Sequence, residues 1–309
     1  MKIAIICGSI ALGLFLLFFL AVFLLYRFIF YSPRKGQLND FNLQDSTNYR
    51  GYEERIKKLI TDLMNRPCED IFIQSFDRLK LHARLFENEK SNKVAILCHG
   101  YRGTAYRDFC GGATEMLELG YNVILIDQRA HGLSEGHSIT FGVRETKDLL
   151  SWIEFAKQRF GQDMSLVLVG VSMGGHVVLS VADKVDKNVK IIADCPYSSP
   201  KAILQNSIKS IHLPIWLFYF LINTSARLLT HENMSKTSVY ETISNSENKI
   251  LIIHGDKDSV VPYTNSLTVA ETFPGKIQYE LFPGADHGVS YVVDTKRYKQ
   301  IINAFLDER

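Results

Sequence analysis

A serine, an acid and a histidine occur in that order along this chain, each just after an apolar run, and together they could carry out nucleophilic catalysis. Leu166 to Val169 runs into Gly170-Val171-Ser172-Met173-Gly174-Gly175, and the helix-like Val177-Val178-Leu179 follows at once. A strand, a sharp turn and a helix lift a serine hydroxyl above a sheet edge. Glycines two positions to either side of the apex relieve the collisions of its strained backbone. A Gly-x-Ser-x-Gly match alone arises by chance in many chains, so its place between strand and helix is what gives it weight.

The partners come later. Ile252-Ile253-His254-Gly255-Asp256-Lys257-Asp258 is a strand entering a carboxylate-rich turn, and Phe282-Pro283-Gly284-Ala285-Asp286-His287-Gly288 is the next strand followed by a histidine. His287 would take the proton from Ser172 and return it to the leaving group. A buried carboxylate would hold the imidazole in the right tautomer. Asp258 is the first choice, Asp256 the second, and Asp194, after its own strand, the third. By itself His287 reads as a loop histidine with a local hydrogen bond; the ordered set argues against that.

Negative charge on a tetrahedral intermediate needs donors. The turn His99-Gly100-Tyr101-Arg102-Gly103 follows the apolar run Val94 to Cys98, so the backbone N–H groups of Tyr101 and Met173 are assigned to an oxyanion hole. The His99 side chain reads as a stabiliser of that turn and Arg102 as a solvated cation. Asp127-Gln128-Arg129-Ala130-His131-Gly132-Leu133-Ser134-Glu135-Gly136 reads as a loop held by buried hydrogen bonds rather than a second site.

The positioning elements follow from apolar runs alternating with helical stretches. Strands are expected at Asp70 to Ser75, Lys80 to Phe86, Val94 to Cys98, Val123 to Ile126, Leu166 to Val169, Ile191 to Ala193, Ile250 to Ile253 and Ile277 to Phe282. Helices are expected at Phe109 to Leu119, Glu145 to Phe160 and Arg297 to Leu306. This predicts an α/β fold, a mostly parallel central sheet with helices on both faces and the site at the strands' carboxyl ends. More than fifty residues between Ala193 and Ile250 exceed an ordinary crossover and predict an inserted helical cap over the site. Its apolar run, Leu213 to Ile222, is too short to span a bilayer.

Ile3 to Tyr26 carries no charge over 24 residues, about 36 Å as a helix at ~1.5 Å per residue, and no convincing cleavage site follows. It is read as one uncleaved N-terminal transmembrane helix. Arg27, Arg34 and Lys35 against Lys2 place the body on the cytoplasmic side. A polar linker runs to Thr47, and Tyr49 to Met64 has amphipathic helix spacing and is expected to pack on the body. Leaving out the four cations of the first 35 residues, 31 basic stand against 33 acidic residues, which excludes a nucleic-acid partner. Cys7, Cys68, Cys98, Cys110 and Cys195 show neither metal nor disulfide spacing, so they read as structural and no metal site is expected.

Together these residues resemble the α/β-hydrolase fold serine hydrolases, in particular the serine aminopeptidase-like and monoacylglycerol-lipase-like branch. The resemblance rests on His99-Gly100, Asp127 to Ser134, Gly170 to Gly175, His254-Gly255-Asp256-Lys257-Asp258 with Val261-Pro262, and Asp286-His287. It covers about Asp70 to Leu306 and implies Ser172, Asp258 and His287 as the triad, with no cofactor; Ala130 stands where relatives often have glycine. The expected layout is an anchor over 1–35, a linker and amphipathic helix over 36–69, and a hydrolase domain over 70–309 with the cap at about 197–248. The expected activity is cleavage of small acyl or lipid-like esters at a membrane. The alternatives are a peptidase acting at substrate N-termini, for which Glu232 and Glu241 are the acids available in the cap, and a non-catalytic membrane-bound binding module.

Overall fold

The computed structural model describes residues 2–32, 40, 41, 43, 47–88 and 90–308. Uniform apolarity makes α1 (Lys2–Leu25), which continues as a π-helical turn, Tyr26–Phe30. This helix is long and apolar enough to cross a membrane. Part of the expected linker lies outside the described residues. The amphipathic segment starts later than its pattern suggested, because Gly51 (φ 86°) turns the chain after a 3-10 turn at Thr47–Tyr49. α2 (Glu53–Met64) then buries Ile56, Ile60 and Leu63.

The chain next forms β1 (Glu69–Gln74), β2 (Lys80–Phe86), β3 (Lys93–Cys98), α3 (Ala105–Asp108), α4 (Gly112–Glu118) and β4 (Asn122–Asp127). It continues with α5 (Glu145–Phe160), β5 (Ser165–Val171), α6 (Met173–Leu179) and β6 (Lys190–Asp194). The insertion holds α7 (Pro200–Ser210), α8 (Ile215–Leu229) and α9 (Val239–Ser244). The end of the chain is β7 (Ile250–Gly255), α10 (Thr264–Thr272), β8 (Ile277–Phe282), α11 (Ser290–Val293) and α12 (Thr295–Asp307). The helix expected over Phe109 to Leu119 forms only from Gly112, as α4, and a break separates it from an additional short helix, α3, that ends before Phe109. At the break, a Cβ on Gly111 would stand 2.1 Å from the Tyr291 ring, so the backbone passes where only glycine fits.

One eight-stranded sheet has the order β1-β2-β4-β3-β5-β6-β7-β8, antiparallel at β1/β2 and β2/β4 and parallel elsewhere. Alternation along the strands feeds two cores. Ala95, Leu97, Val167, Val169, Leu251 and Ile253 face α2, α4 and α12, whereas Val94, Ile96, Leu166, Leu168, Ile250 and Ile252 face α5, α6 and α9. A third apolar cluster joins Phe30 to Tyr101, Phe141, Met173, Tyr197 and the cap residues Ile203, Leu204, Ile222 and Ala226. The end of α1 is therefore packed into the body: Phe30 has no exposed surface, the Ser32 N–H donates to the His137 carbonyl at 2.9 Å, and Ser225 Oγ–H donates to the Val22 carbonyl at 2.9 Å.

Candidate active site

β5 ends in a residue with an unusual backbone, Ser172 at φ 56° and ψ −114°. The flanking glycines are required by contact. A Cβ on Gly170 would lie 2.1 Å from the Gly174 carbonyl oxygen, and one on Gly174 would lie 1.8 Å from that of Cys98. The Ser172 N–H donates to the Asp194 carbonyl at 2.8 Å, tying the elbow to β6. Strain of this kind costs on the order of 1–3 kcal/mol and persists only where surrounding contacts over-determine it.

The loop after β7 carries Asp258, whose side chain has no exposed surface. Its Oδ1 accepts the N–H groups of Val260 (2.9 Å) and Val261 (2.7 Å), and its Oδ2 accepts from His254 Nε2 (3.1 Å) and His287 Nδ1 (2.8 Å). Burial alone would raise the carboxyl pKa, but these hydrogen bonds outweigh it and hold the group well below the ordinary range. His287, after β8, presents Nε2 to Ser172 Oγ at 2.9 Å. Burial lowers the pKa of its ring, yet the bond to Asp258 and that carboxylate's charge prevail and raise it above the ordinary 6.5.

The other acids have different work. Asp256 accepts the Gly284 N–H at 2.6 Å and fastens the two loops together. Asp286 accepts the N–H groups of Ser259 (2.8 Å) and His287 (2.7 Å). Asp194 is buried beside Ser290 and Tyr298, and burial pushes its carboxyl up to about 6. Cys195 Sγ lies 4.0 Å from His287 Nε2, but burial first, and then the charges of Asp194 and Asp258, hold it as a thiol.

Neither the Tyr101 N–H nor the Met173 N–H has an acceptor among the described residues. Met173 opens α6, so its N–H sits at the positive end of the helix beside Ser172. The Gly100 turn is pressed against the same serine: a Cβ on Gly100 would stand 3.3 Å from Ser172 Cβ. Four groups hold that turn. His99 Nδ1–H donates to the Gly100 carbonyl (2.8 Å), Gly100 N–H to Asp108 (2.9 Å), Arg102 N–H to His131 Nε2 (3.1 Å), and Tyr101 Oη–H to the Ile29 carbonyl (2.7 Å). Burial keeps His131 neutral, its pKa pulled down to about 3, as an acceptor at Nε2 requires. Arg102 is exposed, as expected, and its guanidinium also donates to the carbonyls of Phe28 (2.6 Å) and Tyr31 (3.3 Å).

A cavity of about 360 Å³ opens at Ser172. Its walls come from Asn48, Tyr49 and Ile56, from the 100–116 segment, and from His287 to Ile302. The cap residues 197–248 are not among its walls. The cap packs on the anchor's end and on Tyr101 and Met173, the two residues assigned to the oxyanion hole. Asn48, His254, Asp108 and His131 were not marked as site residues by the sequence. His254 shares a motif with the acid and His131 lies in the loop read as structural, whereas Asn48, whose Nδ2 donates to the His287 carbonyl at 2.8 Å, gives no signal.

The sheet, elbow and ordered loops define an α/β-hydrolase fold enzyme of the serine hydrolase type. A family comparison agrees: residues 111–309 match the prolyl oligopeptidase family, peptidase S9, and the chain belongs to it. An uncharacterized protein, YqkD of Bacillus subtilis, is 26% identical over 215 residues, 69% of this chain and 70% of that one. Thiohydrolase aneE of Aspergillus aculeatus is 30% identical over 139 residues, 44% of this chain and 43% of that one. Among solved structures, the Pyrococcus furiosus esterase Pf2001 superposes with a TM-score of 0.65 at 22% identity, covering 90% of this chain and 97% of its own. Est1E from Butyrivibrio proteoclasticus gives 0.60 at 18% identity, covering 77% and 100%. These likenesses establish the shared fold.

Proposed function

We propose that this protein is a membrane-anchored serine hydrolase that cleaves acyl or lipid-like carboxylic esters through an acyl-enzyme intermediate. The observation that carries the reading is the continuous line from Ser172 Oγ to His287 Nε2 (2.9 Å) and from His287 Nδ1 to Asp258 Oδ2 (2.8 Å), standing on a strained elbow. Neutral His287 removes the Ser172 proton as Oγ attacks the ester carbonyl. Asp258 supports the resulting imidazolium, and the oxyanion is received by the Tyr101 and Met173 N–H groups. The imidazolium then protonates the departing alcohol, and water repeats the sequence on the acyl-enzyme. Ile56, Val171, Val289 and Ile302 give the cavity apolar walls suited to an acyl chain. The partial likeness to a named thiohydrolase supports acyl transfer and brings thioesters into the range to be tested.

Family membership favours a second reading, a peptidase acting at substrate N-termini. Its proposed ammonium-binding acids lie away from the cavity: Glu232 pairs with Arg144 at 2.9 Å, and Glu241 is exposed on α9. The full-length protein should be labelled by a fluorophosphonate probe and the Ser172→Ala variant should not; labelling that persists in the variant refutes the nucleophile. Turnover of p-nitrophenyl esters, thioesters and aminoacyl nitroanilides then separates the readings. Nitroanilide cleavage alone would establish the peptidase, and no turnover of any would establish a binding module.

A further inference from the structure

The cap helix exposes more apolar surface than a surface helix facing water. Trp216 is 76% exposed, Phe220 57%, and Ile211, in the turn before α8, 64%. Leu228 and Leu229 are exposed at the helix's other end. The same helix packs against α1, with Ser225 bonded to the Val22 carbonyl.

The length of α1 fixes where that contact lies relative to a bilayer. Every large apolar residue from Ile3 to Leu17 is exposed, whereas Phe18, Ala21, Val22 and Leu25 turn toward the body. The free part, Ile3 to Leu17, rises about 22 Å at ~1.5 Å per residue. A hydrocarbon core of ~30 Å needs about five residues more, which brings its boundary to Val22. Lys2, seeking the opposite headgroups, opposes outward sliding of the helix, and any tilt brings the body deeper.

We propose that α8 and the turn before it form a second membrane contact, an interfacial helix that seats Trp216 and Phe220 in the headgroup–acyl boundary of the bilayer that α1 crosses. This rests on the reading of α1 as a spanning helix. Trp216 stands nine residues before Ser225, about 13 Å along α8 from the contact with Val22, and an exposed tryptophan within that reach of the boundary suits the preference of amphipathic aromatic rings for the interface. The contact is continuous with α1, so a lipid surface is the occupant.

The chain has two tryptophans, and the other, Trp152, is 1% exposed in the core. The fluorescence lost in Trp216→Phe therefore reports on Trp216 alone. Full-length wild type and Trp216→Phe are reconstituted in phosphatidylcholine vesicles carrying acyl chains brominated near the glycerol end, and aqueous iodide is added in parallel. The Trp216 component should be blue-shifted, quenched at least twofold by the brominated lipid and nearly untouched by iodide. Vesicles that float with the protein while iodide quenches Trp216 and bromolipid does not would overturn the docking and leave the anchor standing. Failure of the protein to float would overturn both. Protection from both quenchers, together with a cross-linked dimer, would assign the face to a second copy and refute the lipid contact.

Discussion

The hydroxyl of Tyr101 donates to the carbonyl of Ile29 at 2.7 Å, joining the turn assigned to the oxyanion hole to the last turn of the N-terminal helix. The Tyr101 ring is stacked on Phe141 at 4.8 Å, and Phe141 in turn meets Phe30 edge-on at 5.8 Å. The N-terminal helix is thus a support of the turn, with Arg102 as a second tie.

Tyr101→Phe keeps the stack and removes the tie. A neutral hydrogen bond contributes about 0.5–1.5 kcal/mol, so kcat on a p-nitrophenyl ester should fall roughly two- to tenfold with KM unchanged. A change confined to KM would show that the tyrosine acts on substrate binding and not on the turn.

His287 must be neutral to act as a base. Its pKa is raised by Asp258 above the ordinary 6.5, so the proton is held to higher pH and kcat/KM should decline as pH falls through a value above 6.5. Asp258→Asn should lower kcat by about 10³–10⁴ and move that limb to lower pH, because the charge that raises it is gone. A limb unmoved in the variant would assign it to another group.

His254 Nε2–H donates to both Asp258 Oδ2 (3.1 Å) and the Val261 carbonyl (2.9 Å), while its Nδ1 accepts from Ser266 at 2.6 Å. His254→Phe leaves these buried groups short of a partner, at a cost of about 1–3 kcal/mol in chemical unfolding. It should also reduce kcat about tenfold by freeing the acid to rotate. An unchanged kcat would remove His254 from the support of Asp258.

Gly174→Ala sets a methyl 1.8 Å from the Cys98 carbonyl oxygen and should destabilise the fold by more than ~3 kcal/mol, read as a lower midpoint of denaturation. Gly112→Ala is the matched comparison. Its Cβ would meet nothing nearer than 3.4 Å, and its midpoint should be equal or higher.

Ile56 lines the cavity from α2. Ile56→Trp should reduce kcat/KM for a decanoate ester by about tenfold or more relative to acetate, since filling a pocket penalises the longer chain. Equal losses on both esters would place the acyl chain elsewhere.

Strand positions and the order of Ser172, Asp258 and His287 were legible because each depends on local pattern, whether alternating apolar residues or a turn that only glycine permits. The preference for Asp258 over Asp256 comes from the resemblance and not from local pattern, since both follow β7; in the structure Asp258 meets His287 and Asp256 meets the Gly284 N–H. The walls of the cavity were hidden for another reason. Ile56 reads as one apolar residue of an amphipathic helix, and nothing local says that the helix folds back more than a hundred positions to meet the serine. Asn48 and the carbonyl of Ile29 matter through contacts of their own kind, one amide and one peptide oxygen, that carry no pattern at all.

The insertion leaves the sheet after β6 and returns at β7, its immediate parallel neighbour, and it packs on α1 while the cavity is built from other segments. The stretch that meets α1 and the stretches that wall the cavity are thus separate in sequence. Exchange of the residues between these two strands could remake the surface beside α1 and leave the cavity walls intact, and remodelling of α2 could do the reverse.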